Sequence, residues 1–319
     1  ERVASNEMMW PGRRYDLATV IEQGGICVDQ AYVATQCGKA RGVPTMIFRG
    51  AGLDGRHAWF GFLDGNRRWQ LDAGRFAEQQ FVTGLAHDPQ TWGDLSDHDL
   101  QFLSEGFRLT PRFRQAQVHS SFASASLSMG DAAAARQAAR SALNYESRHL
   151  EAWEILFAAL RAAKAEPRVL EANLREAAIA FQRYPDLQVR FGRDLAESLR
   201  SRGETSAADY EEKLLARKNQ GTRVDLAIDQ VSTELSRALV QQSPFEQMRL
   251  FRNAVDQFGR GAGMDFLDRV VRPFIRHWIK AGRAVEAARA LDHVRTVMAP
   301  AAGSQLEKEI LELTAEAKQ

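Results

Sequence analysis

The chain has 319 residues, 45% of them hydrophobic and 26% charged, which supports a sizeable core and suits two domains. Lys and Arg number 42 against 41 Asp and Glu, and the net charge of +1 gives nucleic acid or anionic lipid no electrostatic purchase. No apolar run approaches the ~18 residues of a membrane span, so membrane insertion is not expected either. A soluble protein is expected. The first residue is Glu, which reads as a processed N-terminus: cytoplasmic placement is favoured, and export after loss of a leader stays open.

In chain order, positions 15–23 have helical spacing and stop at Gly24 and Gly25. A second helix is predicted from about 27 to 39, ending near Gly38 and Gly42. If that segment is one helix, Cys27 and Cys37 sit about 15 Å apart on it, and no disulfide joins them. Segments 44–49, 57–63 and 67–72 are short, rich in β-branched or aromatic residues and bounded by Gly or Asp, and they read as strands. The GAGLDG stretch at 50–55 matches GxGxxG, but a strand follows it instead of a phosphate-binding helix. It is read as a flexible loop leading to His57.

The hairpin HAWFGFLDGNRRWQLD decides the expected chemistry. A two-residue turn at Asp64 and Gly65 pairs Leu63 with Asn66, since Asp-Gly supplies the positive φ angles of a type I′ turn. That register sets His57 opposite Asp72 with Cβ atoms roughly 5 Å apart. Phe60, Phe62, Trp69 and Leu71 then share the other face. Cys27 opens a helix, where unpaired N–H groups and the dipole favour a thiolate, and a nearby imidazolium favours it further. The same N–H groups can receive an oxyanion, and Gly24 and Gly25 let a substrate backbone approach. A cysteine at a helix start is most commonly packing. The His57 and Asp72 hairpin is what sets Cys27 apart, and Cys37, without such company, is read as packing. Cys27, His57 and Asp72 make a poor zinc set with no second Cys or His beside them, so no metal or cofactor is expected.

Further along, His87 and His98 each precede an aspartate and read as surface residues, with SDHD as a capping box opening a short helix. Arg108, Arg112 and Arg114 read as a solvated basic face at a domain junction. After Pro111 the composition turns to Ala, Leu, Arg and Glu at 3.6-residue spacing, and everything that follows is predicted helical. Phe274 and Trp278 are expected core.

GGxC at 24–27, Ala31, RGVP at 41–44, HAW at 57–59, and Trp69 with Asp72 together resemble the core of the transglutaminase-like superfamily, across roughly 20–75. The resemblance implies an α+β, papain-like domain over 1–110. It also implies Cys27 as nucleophile, His57 as general base and acid, and Asp72 as the group orienting the imidazole. For the oxyanion partner, Trp10 follows the eukaryotic transferases and Gln23 the papain-like peptidases. Gly24, Gly25 and Trp59 complete the substrate-binding candidates.

The back part hides a period. Gly130, Ala135, Ala142, Leu143 and then Trp153 fit the roughly 34-residue frame of tetratricopeptide repeats. A second unit carries Trp153 and Leu156, gains a few residues near Pro167, and closes with Ala180, Phe181 and Pro185. Weaker echoes fall at Gly203 with Ala208 and Gly282 with Ala287. Residues 111–319 thus resemble degenerate tetratricopeptide-like repeats, an all-α solenoid whose surface could hold a protein partner or merely pack on the first domain. The function expected is thiol-dependent acyl transfer on an amide, with a protein or peptide as substrate. A cysteine peptidase or amidase is favoured over a transglutaminase, following the family's microbial members. The contrasting expectation is a catalytically silent core carried in an interaction scaffold.

Overall fold

The computed structural model of the protein describes residues 10–71, 83–219 and 223–318. The described chain is mostly helical, with one small antiparallel sheet. It forms two compact units: Glu1–Leu95 with Arg223–Gln319, and Ser96–Thr222. The expected division into 1–110 and 111–319 follows composition. The compact units follow contact, and the helices after Arg223 join the unit of the strands.

In the first unit, α1 (Leu17–Gln23) starts where the Asp16 carboxylate accepts the Thr19 N–H at 2.9 Å, and stops at Gly24, whose φ is 72°. α2 (Cys27–Ala40) starts behind Ile26, whose N–H donates to Asp29 Oδ2 at 2.9 Å. Among the described residues the sheet holds β1 (Thr45–Ala51), β2 (Arg56–Leu63), β3 (Trp69–Gln70), β4 (Thr83–His87) and β5 (Asp94–Leu95), in the order β3-β2-β1-β4-β5. β1 is the middle strand, and Thr45, Met46, Ile47 and Phe48 are all buried. Such an unbroken run marks a strand covered on both faces rather than one. α2 packs on β1 and β2. The Thr45 hydroxyl donates to Thr35 O at 2.7 Å, and Gly38 leaves the gap that Thr45 fills.

The hairpin register departs from the expected one. Leu63 pairs with Trp69 and Phe62 with Gln70, not Leu63 with Asn66. The reason is Asp64, whose carboxylate accepts the N–H groups of Asn66 and Arg68, each at 2.9 Å. Those bonds shape a five-residue loop in which Arg67 takes φ 59°, and the two-residue turn is lost. Opposite residues share a face, so Trp69 lies on the face of Leu63 and not with Phe60 and Phe62. Strands β4 and β5 carried no signal in the sequence reading.

The second unit opens with α3 (Asp97–Glu105). Ser96 caps it as SDHD implies: Ser96 Oγ accepts the Asp99 N–H at 3.3 Å, and Asp99 Oδ2 accepts the Ser96 N–H at 3.4 Å. His98 is more than surface, for its Nδ1 lies 2.7 Å from Asp186 Oδ2 and its side chain is only 13% exposed. Burial opposes charge on Asp186, but the His98 contacts hold its carboxyl below the usual range. There follow α4 (Pro111–Ser128), α5 (Ala132–Tyr145), α6 (Leu150–Ala162), α7 (Pro167–Ala180), α8 (Pro185–Ser201) and α9 (Thr205–Asn219). Their shared core includes Trp153, Phe157, Phe181, Tyr184 and Phe191. Several polar links between these helices fall at similar sequence distances. Gln117 bonds Glu151 34 positions on, and Arg140 to Glu176, Glu154 to Arg190 and Arg175 to Glu211 each span 36.

The first unit resumes with α10 (Val224–Gln241), α11 (Pro244–Phe266), a π-helical turn (Leu267–Val271), α12 (Arg272–Lys280), α13 (Ala284–Met298) and α14 (Gln305–Glu316). Phe251 and Phe274 stack at 4.0 Å in their core with Trp278 beside them, and Ala51 of β1 belongs to the same core. None of the helices is long and apolar enough to cross a membrane, among the described residues.

Candidate functional site

Cys27 is the first residue of α2 and half-buried, while Cys37, in the last turns of the same helix, is exposed. Helix geometry leaves the Cys27 and Val28 N–H groups without acceptors inside the helix. Asp29 and Gln30 turn theirs onto Ile26 O at 3.0 and 3.1 Å. The residue that carries the thiol thus stands at the positive end of a 14-residue helix, with two backbone donors that the helix leaves unused.

β2, against which α2 packs, carries His57 near its start. The imidazole is 7% exposed. His57 pairs with Gly50 on β1, which puts no Cβ opposite the ring. The imidazole stacks on Trp59 at 6.1 Å and 14°, and Trp59 stacks in turn on Phe48 at 5.7 Å. The indole N–H of Trp59 donates to Leu71 O at 2.6 Å. What Trp59 offers the site is therefore a fixed wall under His57, since its one donor is already used. Asp72, the third expected member of the triad, lies outside the described residues. No hydrogen bond reaches the Cys27 thiol from the described residues.

The other expected residues are placed as follows. Gln23 ends α1 and is exposed. Gly24 caps that helix at positive φ, and a Cβ there would meet nothing within 4 Å, so its outer side is open. Gly25 has a tighter duty: a Cβ would fall 2.4 Å from Asp29 Cβ. Trp10 is half-buried and meets Tyr15 edge-on at 5.5 Å.

Asp29 was missed in the sequence. Its carboxylate is 2% exposed and accepts the Ile26 N–H together with the Tyr15 hydroxyl at 3.1 Å. These bonds fix the backbone just before Cys27, and an acid at the third position of a helix was the signal for them. Also unread was a run of rings beside the same helix, in which Tyr15 meets Tyr32 at 5.1 Å and Tyr32 stacks on Trp92 at 5.7 Å. Its members lie far apart in the chain, so no local pattern announces it.

Among the described residues no group of three or more His, Cys, Asp or Glu side chains is arranged to hold a metal ion. In the second unit, α5, α6 and α7 enclose a cleft of about 670 Å³ lined by Gln137, Arg140, Leu156, Val169 and Asn173. Compared with protein-family models, with curated proteins and with solved structures, the chain finds no match.

Proposed function

We propose that this protein is a thiol-dependent acyl-transfer enzyme of transglutaminase-like type, a cysteine peptidase or amidase acting on a protein or peptide. The observation that carries the reading is Cys27 at the mouth of α2, packed on the strand that holds a buried, ring-stacked His57. A lone cysteine at a helix start would mean little, and it is the buried imidazole on the neighbouring strand that supports this reading of the thiol.

In this reading His57 takes the Cys27 proton, and Cys27 Sγ bonds to the acyl carbon of an amide. The oxyanion is met by the Cys27 N–H, with Gln23 or Trp10 as the second donor. The C–N bond breaks, and the amine leaves with the proton from His57. Water then adds to the thioester, gives a proton to His57, and the S–C bond breaks to free the acid. A lysine amine in place of water makes the same chemistry a transglutaminase transfer. With the register that set Asp72 opposite His57 lost, the resemblance alone assigns Asp72 to hold the imidazole tautomer. The second unit reads as a degenerate tetratricopeptide-like array, supported by links at 34 and 36 residues, and its cleft is the surface for a protein partner.

Iodoacetamide labelling across pH tests the proposal. Cys27 is expected to alkylate at neutral pH at least about tenfold faster than Cys37, through a thiolate that His57→Ala removes. Equal, slow labelling of both thiols that ignores His57→Ala would reduce the first unit to a silent core in an interaction scaffold.

A further inference from the structure

The loop before His57, read from sequence as flexible, is built into the helices that follow Arg223. Gly52 O accepts the Met264 N–H at 3.0 Å, and Asp54 O accepts the Leu306 N–H at 3.2 Å. Gln305 Oε1 accepts the Arg56 N–H at 3.2 Å. α11 breaks its own geometry to allow this. Gly263 takes φ 50° and ψ −131°, and a Cβ there would lie 2.4 Å from Gly52 O and from Leu53 Cα. The π-helical turn comes next and presents Asp268, and such irregular turns gather where a helix serves more than packing.

Arg56 closes the clamp. Its Nε and Nη2 donate to Asp268 at 3.0 and 2.5 Å, while Nη1 and Nη2 donate to Glu309 at 2.6 and 3.0 Å. Arg272 binds the same Glu309 carboxylate. Paired forks of this kind fix direction as well as distance. Successive side chains on a strand point to opposite faces. The guanidinium therefore grips the π-helical turn and α14 from one side of β2 while the next residue, His57, projects from the other.

We propose that Arg56 is a positioning residue for His57, and that the helices from α11 to α14 are a structural part of the reactive unit. The proposal rests on the acyl-transfer reading of Cys27 and His57. The imidazole leaves the backbone one residue from four charge-assisted bonds, so losing them tilts the strand end and moves the ring from the thiol. A misplacement of about 1 Å is enough to cost on the order of a hundredfold in a reaction that needs two groups aligned.

The test uses the full chain with ring-labelled histidine. It follows the His57 titration by NMR and the pH profile of alkylation at Cys27 and Cys37, in wild type, Arg56→Lys and Arg56→Gln. In Arg56→Gln the His57 midpoint is expected to move by about half a pH unit or more, and Cys27 alkylation near neutral pH to fall about tenfold, with Cys37 unchanged. Arg56→Lys, which keeps the charge but not the fork, is expected to fall between. Should Arg56→Gln not fold, Asp268→Asn removes one carboxylate, leaves Glu309, and is read the same way. A His57 titration and a Cys27 profile that both stay at wild type in a folded variant overturn the proposal. If wild-type Cys27 labels no faster than Cys37, the acyl-transfer reading fails instead, and the His57 titration still decides whether Arg56 sets the ring.

Discussion

The two sets of helices are held by different means. Between α4 and α9 several polar links span 34 to 36 residues, and others, such as Arg200 to Asp209 and Glu212, span 9 and 12. In the first unit, Arg56 reaches Asp268 across 212 residues and Glu309 across 253. A row of helices each joined to near neighbours in the chain spreads its stability over many contacts of short sequence reach. A clamp between distant segments concentrates it on a few groups, so that a single change acts on all of it. The helical composition after Pro111 is uniform, yet it serves both designs.

The largest break should come at Gly263. Replacing it with Val forces a β-branched side chain to φ 50° and drives its Cβ to within 2.4 Å of the Gly52 and Leu53 backbone, which has no rotamer to retreat into. A loss of more than about 5 kcal/mol is expected, comparable with the whole stability of a domain. Hydrogen exchange should show protection disappearing in β1, β2 and α10 to α14 and persisting in α4 to α9. Gly130 makes the contrast, because it also has positive φ, 82°, but a Cβ there meets nothing within 4 Å. Gly130→Ala should cost only about 1 kcal/mol.

Trp153 is the corresponding test inside the stack. It is 1% exposed, and its indole N–H donates to Ser147 O at 2.8 Å. Trp153→Ala leaves a large cavity and an unpaired carbonyl, and about 3–5 kcal/mol is expected. Urea melts followed by exchange should lose protection in α5 to α8 first. Even loss along the whole array would mean that it folds as a single cooperative block.

What was legible in the sequence divides along the same line. Ala135, Ala142, Leu143, Trp153, Leu156 and Phe181, singled out in the sequence by their spacing, are buried, because apolar positions that recur along a helix turn to one face. The Ser96 cap, and the α2 that starts at Cys27, came from local chemistry acting over three or four residues. The hairpin register was misread because Asp64 spends its carboxylate on its own loop, a choice between two local hydrogen-bond patterns that Asp-Gly does not settle. The clamp on 52–56 left no trace, since nothing near Gly52 in the chain reveals a partner more than 200 residues away. For the site, the positions of Cys27 and His57 could be named, while Asp29 and the Tyr15, Tyr32 and Trp92 rings could not, being assembled by tertiary contact.

Acid should separate the designs further. Burial alone would raise the Glu309 pKa, but hydrogen bonds and charge from Arg56, with Arg272, hold it below its ordinary 4.5. The folded state then binds fewer protons than the unfolded one at acid pH. The stabilisation is complete above 4.5 and is lost as pH falls through the depressed folded value. Glu309→Gln should cost about 1–3 kcal/mol at neutral pH. Thermal melts of variant and wild type should converge on acidification; a gap that stays constant would mean that the carboxylate charge contributes nothing.

The smallest effect is expected at Glu154, on the surface of α6. Its Oε1 accepts from Arg190 Nη2 at 2.7 Å, within the 2.5 to 3.0 Å spread of the Arg56 bonds, but the two side chains are 44% and 46% exposed. Water and salt can replace either partner, so Glu154→Gln should cost below about 0.5 kcal/mol and nothing measurable at high ionic strength. Two things set Glu309→Gln apart from it, the burial of Glu309 and its second guanidinium partner, Arg272. If Glu154→Gln instead cost more than about 1.5 kcal/mol, the surface charges, and not the apolar core of Trp153, Phe181 and Phe191 beneath them, would be what holds these helices together.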